Sequence, residues 1–354
     1  MNEAPAGEGA AATDAEWLEA LGRHLADRIP EVIPGRPGLA ALEPLADDVW
    51  LARLTDLGRV VVKHQFYGLL TAGRSYDLLQ TEVEVLAALR RAGCPVPLAF
   101  GADAGAQVIF LEWAGPQTLT AALSGEAPLS EATRSALAGK LLAGLKRIEE
   151  ALAGEPGWEA RLVPGGSREE LASAWEMATE GAVEGLSLAL GAGSTGPAQV
   201  EAATVALRQV AAQLGRRPAR LGPTDYQPAN VVLDRAGERL TFLEQGKLGW
   251  DWTERRAVQY STPVGEPRRP GLLDPGAARL YGALWPGTEA GERRRALDGH
   301  DLVFHLLWAR RVIQAGGREA VAGDLARRLV TALSDAPLVG GVRQRLAAAL
   351  HRSE

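Results

Sequence analysis

Hydrophobic positions recur along this chain in two rhythms. Between residues 39 and 112 short apolar runs alternate with polar turns, as in strands; elsewhere apolar residues recur every three or four positions, as in helices. Trp17, Leu18, Leu21, Leu25 and Ile29 share one helical face, with Asp14 as the expected cap and Pro30 as the stop. Met1 to Thr13 read as a disordered tail, and Pro34 to Pro37 as a linker. A short strand near Leu39–Glu43 precedes the strands Val49–Leu54 and Arg59–His64, which flank the turn Thr55-Asp56-Leu57-Gly58. A helix from Tyr76 to Arg91 carries the stripe Leu79, Leu86 and Leu89. Glu82 falls on that inward face and Glu84 points away. An inward carboxylate is costly unless paired, and Lys63, at the end of its strand, is the natural partner. The turn Gly93-Cys94-Pro95-Val96-Pro97-Leu98 then leads to the apolar run Val108–Trp113.

Beyond Gly115 the helical period takes over. A short segment Thr118–Leu123 precedes a long helix capped by Ser130, with Leu137, Leu141, Leu145, Ile148 and Leu152 on one face and a stop at Gly154. Ser167–Leu190 and Pro197–Leu214 read as helices around the break Gly191–Gly196. Further helices are expected near Gly276–Leu284, Ala296–Gln314, Arg318–Leu333 and Val342–His351. One stretch interrupts this regime. Val231–Leu233 and Leu240–Leu243 are short apolar strands around Asp234-Arg235-Ala236-Gly237-Glu238, the composition of a hairpin. A turn centred on Gly237 sets Asn230 opposite Glu244, with facing residues about 4.5–5.5 Å apart. An amide oxygen and a carboxylate at that separation can share one hard cation. Asp225, just before the hairpin, lies on the same side.

Composition narrows the possibilities. Of 354 residues 46% are hydrophobic and 23% charged, which supports a sizeable core and excludes global disorder. The net charge of −6 argues against a general nucleic-acid or anionic-membrane binder. Cys94 is the only cysteine, so no intrachain disulfide forms and a reducing compartment is expected. The five histidines lack zinc-ligand spacing. The N-terminus has neither a basic start nor an apolar core, and no long apolar run follows; the expectation is a cytoplasmic protein that binds neither membrane nor nucleic acid.

The ordered set of Lys63, Glu82, the strand ending at Trp113, the Asp225 to Asn230 loop and Glu244 resembles the protein-kinase-like superfamily. The branch it is most similar to is that of aminoglycoside phosphotransferases and choline kinases, whose loop reads His-Gly-Asp-x-x-x-x-Asn. Pro223 stands where that His is usual and Glu244 where an Asp is usual, and the turn Leu45-Ala46-Asp47-Asp48-Val49 lacks phosphate-covering glycines. The resemblance implies an α+β, two-lobed kinase-like fold, with a small mostly antiparallel β lobe and a larger helical lobe. The expected division is residues 1–34 as tail and first helix, 35–113 as the nucleotide-binding lobe, and 114–354 as the helical lobe with the catalytic loop and substrate site. It further implies transfer of the γ-phosphate of ATP or GTP to a hydroxyl of a small molecule. Asp225 would serve the hydroxyl, and Asn230 and Glu244 would hold Mg²⁺. Lys63, fixed by Glu82, would hold the phosphates, and the backbone of Glu112, Trp113 and Ala114 would meet the adenine edge. Asp251, in Gly249-Trp250-Asp251-Trp252, is expected to be structural. The helices of residues 167–214 carry Glu169, Glu170, Glu176, Glu180 and Glu184, as an acidic substrate pocket or, more simply, a solvated face. The departures at Pro223 and Glu244 motivate a rival, an inactive kinase-fold protein acting as a nucleotide-responsive binding or scaffold protein.

Overall fold

The computed structural model describes residues 8–55, 58–65, 67–125, 129–191, 196–262, 272–273, 284–285 and 287–315. The chain forms two compact units, Met1–Ala114 and Gly115–Glu354. Among the described residues no helix is long and apolar enough to cross a membrane.

The first unit opens with α1, Glu8–Val32. It starts six residues before Asp14, which is therefore interior and not a cap; the alanines at 10–12 are strong helix formers and extend the helix into the expected tail. Pro30 lies inside the last turn and does not end it. Five strands follow: β1 Leu39–Ala46, β2 Val49–Leu54, β3 Gly58–His64, β4 Ala99–Asp103 and β5 Val108–Glu112. They form one antiparallel sheet in the order β1-β2-β3-β5-β4. Residues 56 and 57 of the expected turn lie outside the described residues. Leu25 and Ile29 of α1 pack on Trp50, Val60, Val62 and Phe110 of the sheet, the alternate residues that the strand period turns to one side. Between β3 and β4 lie α2, Gly68–Thr71, and α3, Leu78–Arg91. Asp77 caps α3 by accepting the Gln80 amide at 3.0 Å, so the helix starts two residues later than its pattern suggests.

The second unit is mainly helical: α4 Leu119–Ser124, α5 Glu131–Gly154, α6 Arg168–Gly191, α7 Pro197–Gly215, α8 Thr253–Ser261 and α9 Thr288–Gln314. Ser130 caps α5 as expected, accepting the Thr133 amide at 3.1 Å. Leu186, Leu207, Leu302 and Leu306 bring α6, α7 and α9 into one core. Two small sheets interrupt the helices. In one, β6 (Gln117–Thr118), β8 (Val231–Leu233) and β9 (Leu240–Phe242) lie side by side; in the other, β7 (Arg220–Pro223) pairs with β10 (Leu248–Asp251). Gly115 enters the first of these at φ +159°, and a Cβ there would collide with the Leu233 carbonyl, so only glycine fits. The α8 helix was not expected. The helices expected at 318–333 and 342–351, all but the last residue of that at 276–284, and most of the 191–196 break lie outside the described residues. The α+β class holds, with the five-stranded antiparallel sheet in the first unit and helices dominating the second, which carries only the two small sheets.

Candidate active site

In the first unit the Lys63–Glu82 pair forms. Lys63 Nζ lies 2.8 and 3.0 Å from the two Glu82 oxygens, and the residues are 7% and 1% exposed. Burial at this depth removes water as a competing partner, so the two charges hold each other in place. Gln65 also donates to Glu82. In the acidic turn between β1 and β2, Asp48, at φ +58°, accepts the His64 amide on its backbone carbonyl at 2.8 Å, and its carboxylate lies 3.3 Å from His64 Nδ1. Glu112 is committed to the sheet. Its amide donates to Leu98 at 2.8 Å, and its carboxylate accepts the Leu98 amide at 3.1 Å and pairs with Arg90 at 3.2 Å. That leaves Trp113 and Ala114, both half-buried, as the amides of this stretch not tied to Leu98.

In the second unit the loop is fixed from both ends. The β7–β10 ladder continues one step beyond Leu248↔Pro223, because the Thr224 amide donates to Lys247 O at 2.9 Å. This sets Asp225 beside Lys247, whose Nζ is 2.7 Å from Asp225 Oδ2. At the other end Pro228–Asn230 makes a single tight turn, with the Asn230 amide on Gln227 O at 2.9 Å. Proline's fixed φ suits it to start such a turn. Asn230 Nδ2 then donates to Asp225 O at 2.8 Å. The loop's expected Asp and Asn are thus joined by a direct hydrogen bond, and the side-chain oxygen of Asn230 is not used in it.

The hairpin forms, but its register differs from expectation. Val231 faces Phe242, Val232 faces Thr241 and Leu233 faces Leu240. Asp234 and Arg239 close the loop, with the Asp234 amide on Arg239 O at 3.1 Å, so four residues lie between them and no single residue is central. Asn230 is accordingly opposite Leu243, whose amide donates to Asn230 O at 2.8 Å, and not opposite Glu244. Glu244 comes next, at φ +57°. A left-handed residue turns the chain out of the ladder, so Glu244 leaves the strand beside Asn230 instead of facing it. The two groups, an amide oxygen and a carboxylate, remain of the chemical kind that a hard cation takes. The buried Tyr260 hydroxyl has no hydrogen-bond partner among the described residues; burial raises its pKa, Arg256 works against the rise, and Asp225, Tyr226 and Glu244 add to it. Among the described residues no group of three His, Cys, Asp or Glu gathers as a metal site.

Sequence reasoning missed the support beneath the loop. Arg256, fully buried, donates to Pro223 O at 3.0 Å, Gly249 O at 2.9 Å and Arg220 O at 3.1 Å, and pairs with Glu149 at 2.7 Å. Burial pushes the Glu149 carboxyl up, while Arg256 beside it works to keep it charged. Gly222 is required here, since a Cβ would lie 2.8 Å from Arg256 Cζ. Asp251, 1% exposed, accepts from the Tyr226 hydroxyl and from Arg255 at 3.0 Å, the structural part expected of it. Burial first, and then the Asp251 charge, raise the Tyr226 pKa, so its hydroxyl stays a donor. No sequence period marks Lys247 or Arg256; only the β7–β10 pairing reveals them. Of the five α6 glutamates, three serve the fold. Glu170 accepts the Gly165 and Ser167 amides, each at 3.0 Å, Glu180 pairs with Arg208 at 2.8 Å, and Glu184 with Arg310 at 2.7 Å.

Among curated proteins no match was found. Among solved structures, the chain is similar to a choline/ethanolamine kinase family protein from Mesorhizobium loti, at 15% identity and a TM-score of 0.49, over 95% of this chain and 99% of that one. It is also similar to the protein in a gentamicin–APH(2″)-IIa complex, at 13% identity and a TM-score of 0.47, over 94% and 99% of the two chains. A third is choline kinase LicA from Streptococcus pneumoniae, at 12% identity and a TM-score of 0.40, over 94% and 99%. Residues 40–243, more than half of the chain and the stretch that holds Lys63, Glu82, Asp225 and Asn230, match the phosphotransferase enzyme family, and the chain belongs to that family.

Proposed function

We propose that this phosphotransferase moves the γ-phosphate of ATP or GTP to a hydroxyl of a small molecule. The observation that carries the reading is the Asp225 loop: a half-buried carboxylate held at 2.7 Å by Lys247, with the Asn230 amide bonded to its carbonyl at 2.8 Å. Phosphoryl transfer asks the protein mainly to position groups and neutralise charge. In this reading Asp225 accepts a hydrogen bond from the acceptor hydroxyl and takes its proton as the oxygen bonds to the γ-phosphorus, while the bond from that phosphorus to the β–γ bridging oxygen breaks and the nucleoside diphosphate leaves. Lys247 keeps that carboxylate aimed and balances its charge. Lys63, locked by Glu82, binds the nucleotide phosphates, and Trp113 and Ala114 offer backbone groups to the base. Asn230 and Glu244 would hold Mg²⁺, which when bound supplies positive charge at the phosphates.

Binding to the folded state alone stabilises it by RT ln(1 + [L]/Kd), about 2.7 kcal/mol at a hundredfold excess. ATP or GTP with Mg²⁺ should therefore raise the melting temperature, and Lys63→Ala should shrink the rise. Absence of any shift, together with no heat of binding by calorimetry, would remove nucleotide from the reading. One observation favours the rival, an inactive binding or scaffold protein: Glu244 does not face Asn230. Metal-dependent nucleotide hydrolysis in wild type, Glu244→Ala and Glu244→Asp separates the two. An enzyme loses activity in Glu244→Ala. An inert wild type beside an active Glu244→Asp variant would establish the rival.

A further inference from the structure

His300 on α9 is 2% exposed, and neither ring nitrogen has a hydrogen-bond partner among the described residues. Its ring stacks on Trp252, centroids 5.4 Å apart at 30°, and meets the edge of Trp175 at 5.1 Å. Burial, and then Arg255 nearby, hold the imidazole neutral, its pKa well below the usual value. A neutral imidazole offers one donor and one acceptor. Leaving both unmet inside a fold is costly, and native interiors seldom do so without a function for the group.

The same histidine lines a cavity of about 270 Å³ within the second unit. Trp175 and Trp308 supply aromatic walls. Among the described residues the charged ones in the lining are Arg255 and Arg311, both cations, and none is a carboxylate. Arg255 spends one nitrogen on Asp251, at 3.0 Å, out of a fork with five donor hydrogens. Arg311 is exposed to solvent. Flat apolar walls, an unsatisfied imidazole and two guanidiniums ask for a ligand with one ring and one negative group.

We propose that this cavity binds a small carboxylate carrying a single ring, its anion on the guanidiniums of Arg255 and Arg311 and its ring against the tryptophans, with His300 completing its hydrogen bonds. The site stands apart from the nucleotide reading and does not depend on it. It touches the loop chemistry through one chain of contacts, because the Asp251 oxygen that takes Arg255 also takes the Tyr226 hydroxyl next to Asp225.

The test is calorimetry of the full-length protein with benzoate and with benzyl alcohol, which has nearly the same shape and no charge. Benzoate should bind saturably and at least tenfold more tightly than benzyl alcohol. Arg311→Gln should weaken benzoate and leave benzyl alcohol unchanged. His300→Phe, which keeps the ring and removes the nitrogens, should weaken benzoate while raising the melting temperature of the free protein. Equal affinities for the two probes in wild type would overturn the proposal without recourse to any variant. So would no saturable benzoate binding at millimolar concentration, or an affinity that His300→Phe leaves untouched.

Discussion

Replacing Lys63 by Met tests whether the pair with Glu82 is built into the interior of the first unit. Glu82 is 1% exposed, so after the substitution its carboxylate stays buried with Gln65 as its remaining described partner. Breaking a buried pair from one side typically costs about 3–5 kcal/mol, because the abandoned charge has no water to turn to. Exposed pairs cost about 0–1 kcal/mol, so the two situations are well separated. Glu82→Gln takes from the ammonium the carboxylate that holds it at 2.8 and 3.0 Å and should cost a similar amount. The double variant Lys63→Met with Glu82→Gln removes both charges, and its cost should fall below the sum of the single costs by about 2–3 kcal/mol. Trp50, 4% exposed on β2, lies in the same sheet as Lys63, so its fluorescence during urea unfolding reads the affected unit. Costs that add to within about 0.5 kcal/mol would show that the residues do not sense each other and would refute the argument from burial.

Asp225→Asn should cut turnover by about 10²–10⁴-fold and leave nucleotide affinity nearly unchanged, and an unaltered turnover would take Asp225 out of the chemistry. Gly115→Ala must accommodate φ +159° and a collision with the Leu233 carbonyl, so it should lose about 1–3 kcal/mol in denaturant titration; a neutral result would mean the strand β6 can move aside. His300 is neutral when folded and takes a proton below about pH 6.5 when unfolded. Its contribution to stability is therefore intact above that pH and declines as pH falls, by up to about 1.4 kcal/mol per unit, so His300→Phe should flatten the acid limb of the stability curve, and an unchanged slope would contradict the neutral assignment.

What could be read in the sequence depended on whether its cause was local. Glu82 stood out because a carboxylate on a leucine stripe demands a partner, and the nearest strand ended in lysine. Ser130 acts within one turn of itself and was equally legible. The hairpin was legible but its register was not. The loop residues allow both an odd and an even count, and the choice is made by the Asp234 carboxylate accepting the Glu238 and Arg239 amides at 2.8 and 3.2 Å. That one-residue difference moved Glu244 from the position facing Asn230 to the one beside it. Lys247 and Arg256 were silent, because an exposed-looking cation and a helical arginine have no pattern of their own. Each acquires its meaning through distant residues, Lys247 through Asp225, 22 positions away, and Arg256 through Pro223 and Glu149, 33 and 107 positions away. Asp14 misled because cap chemistry competes with the helix-forming alanines before it.

Arg256 has a consequence for how such a protein can change over generations. Its described hydrogen bonds go to Glu149, Arg220, Pro223, Gly249 and Asp251. None comes from Arg168–Gly191 or Pro197–Gly215. The hydrogen bonds of the loop's foundation are therefore heritable apart from those two helices, which meet it only by packing, as where Trp175 meets Trp252. Drift along the helices, even exchange of their surface glutamates, leaves the guanidinium and its carbonyls intact. A lineage could exchange the exposed positions of that flank many times over while inheriting the Asp225 loop unaltered, whereas a change at Gly222 or Arg256 would strike the foundation directly.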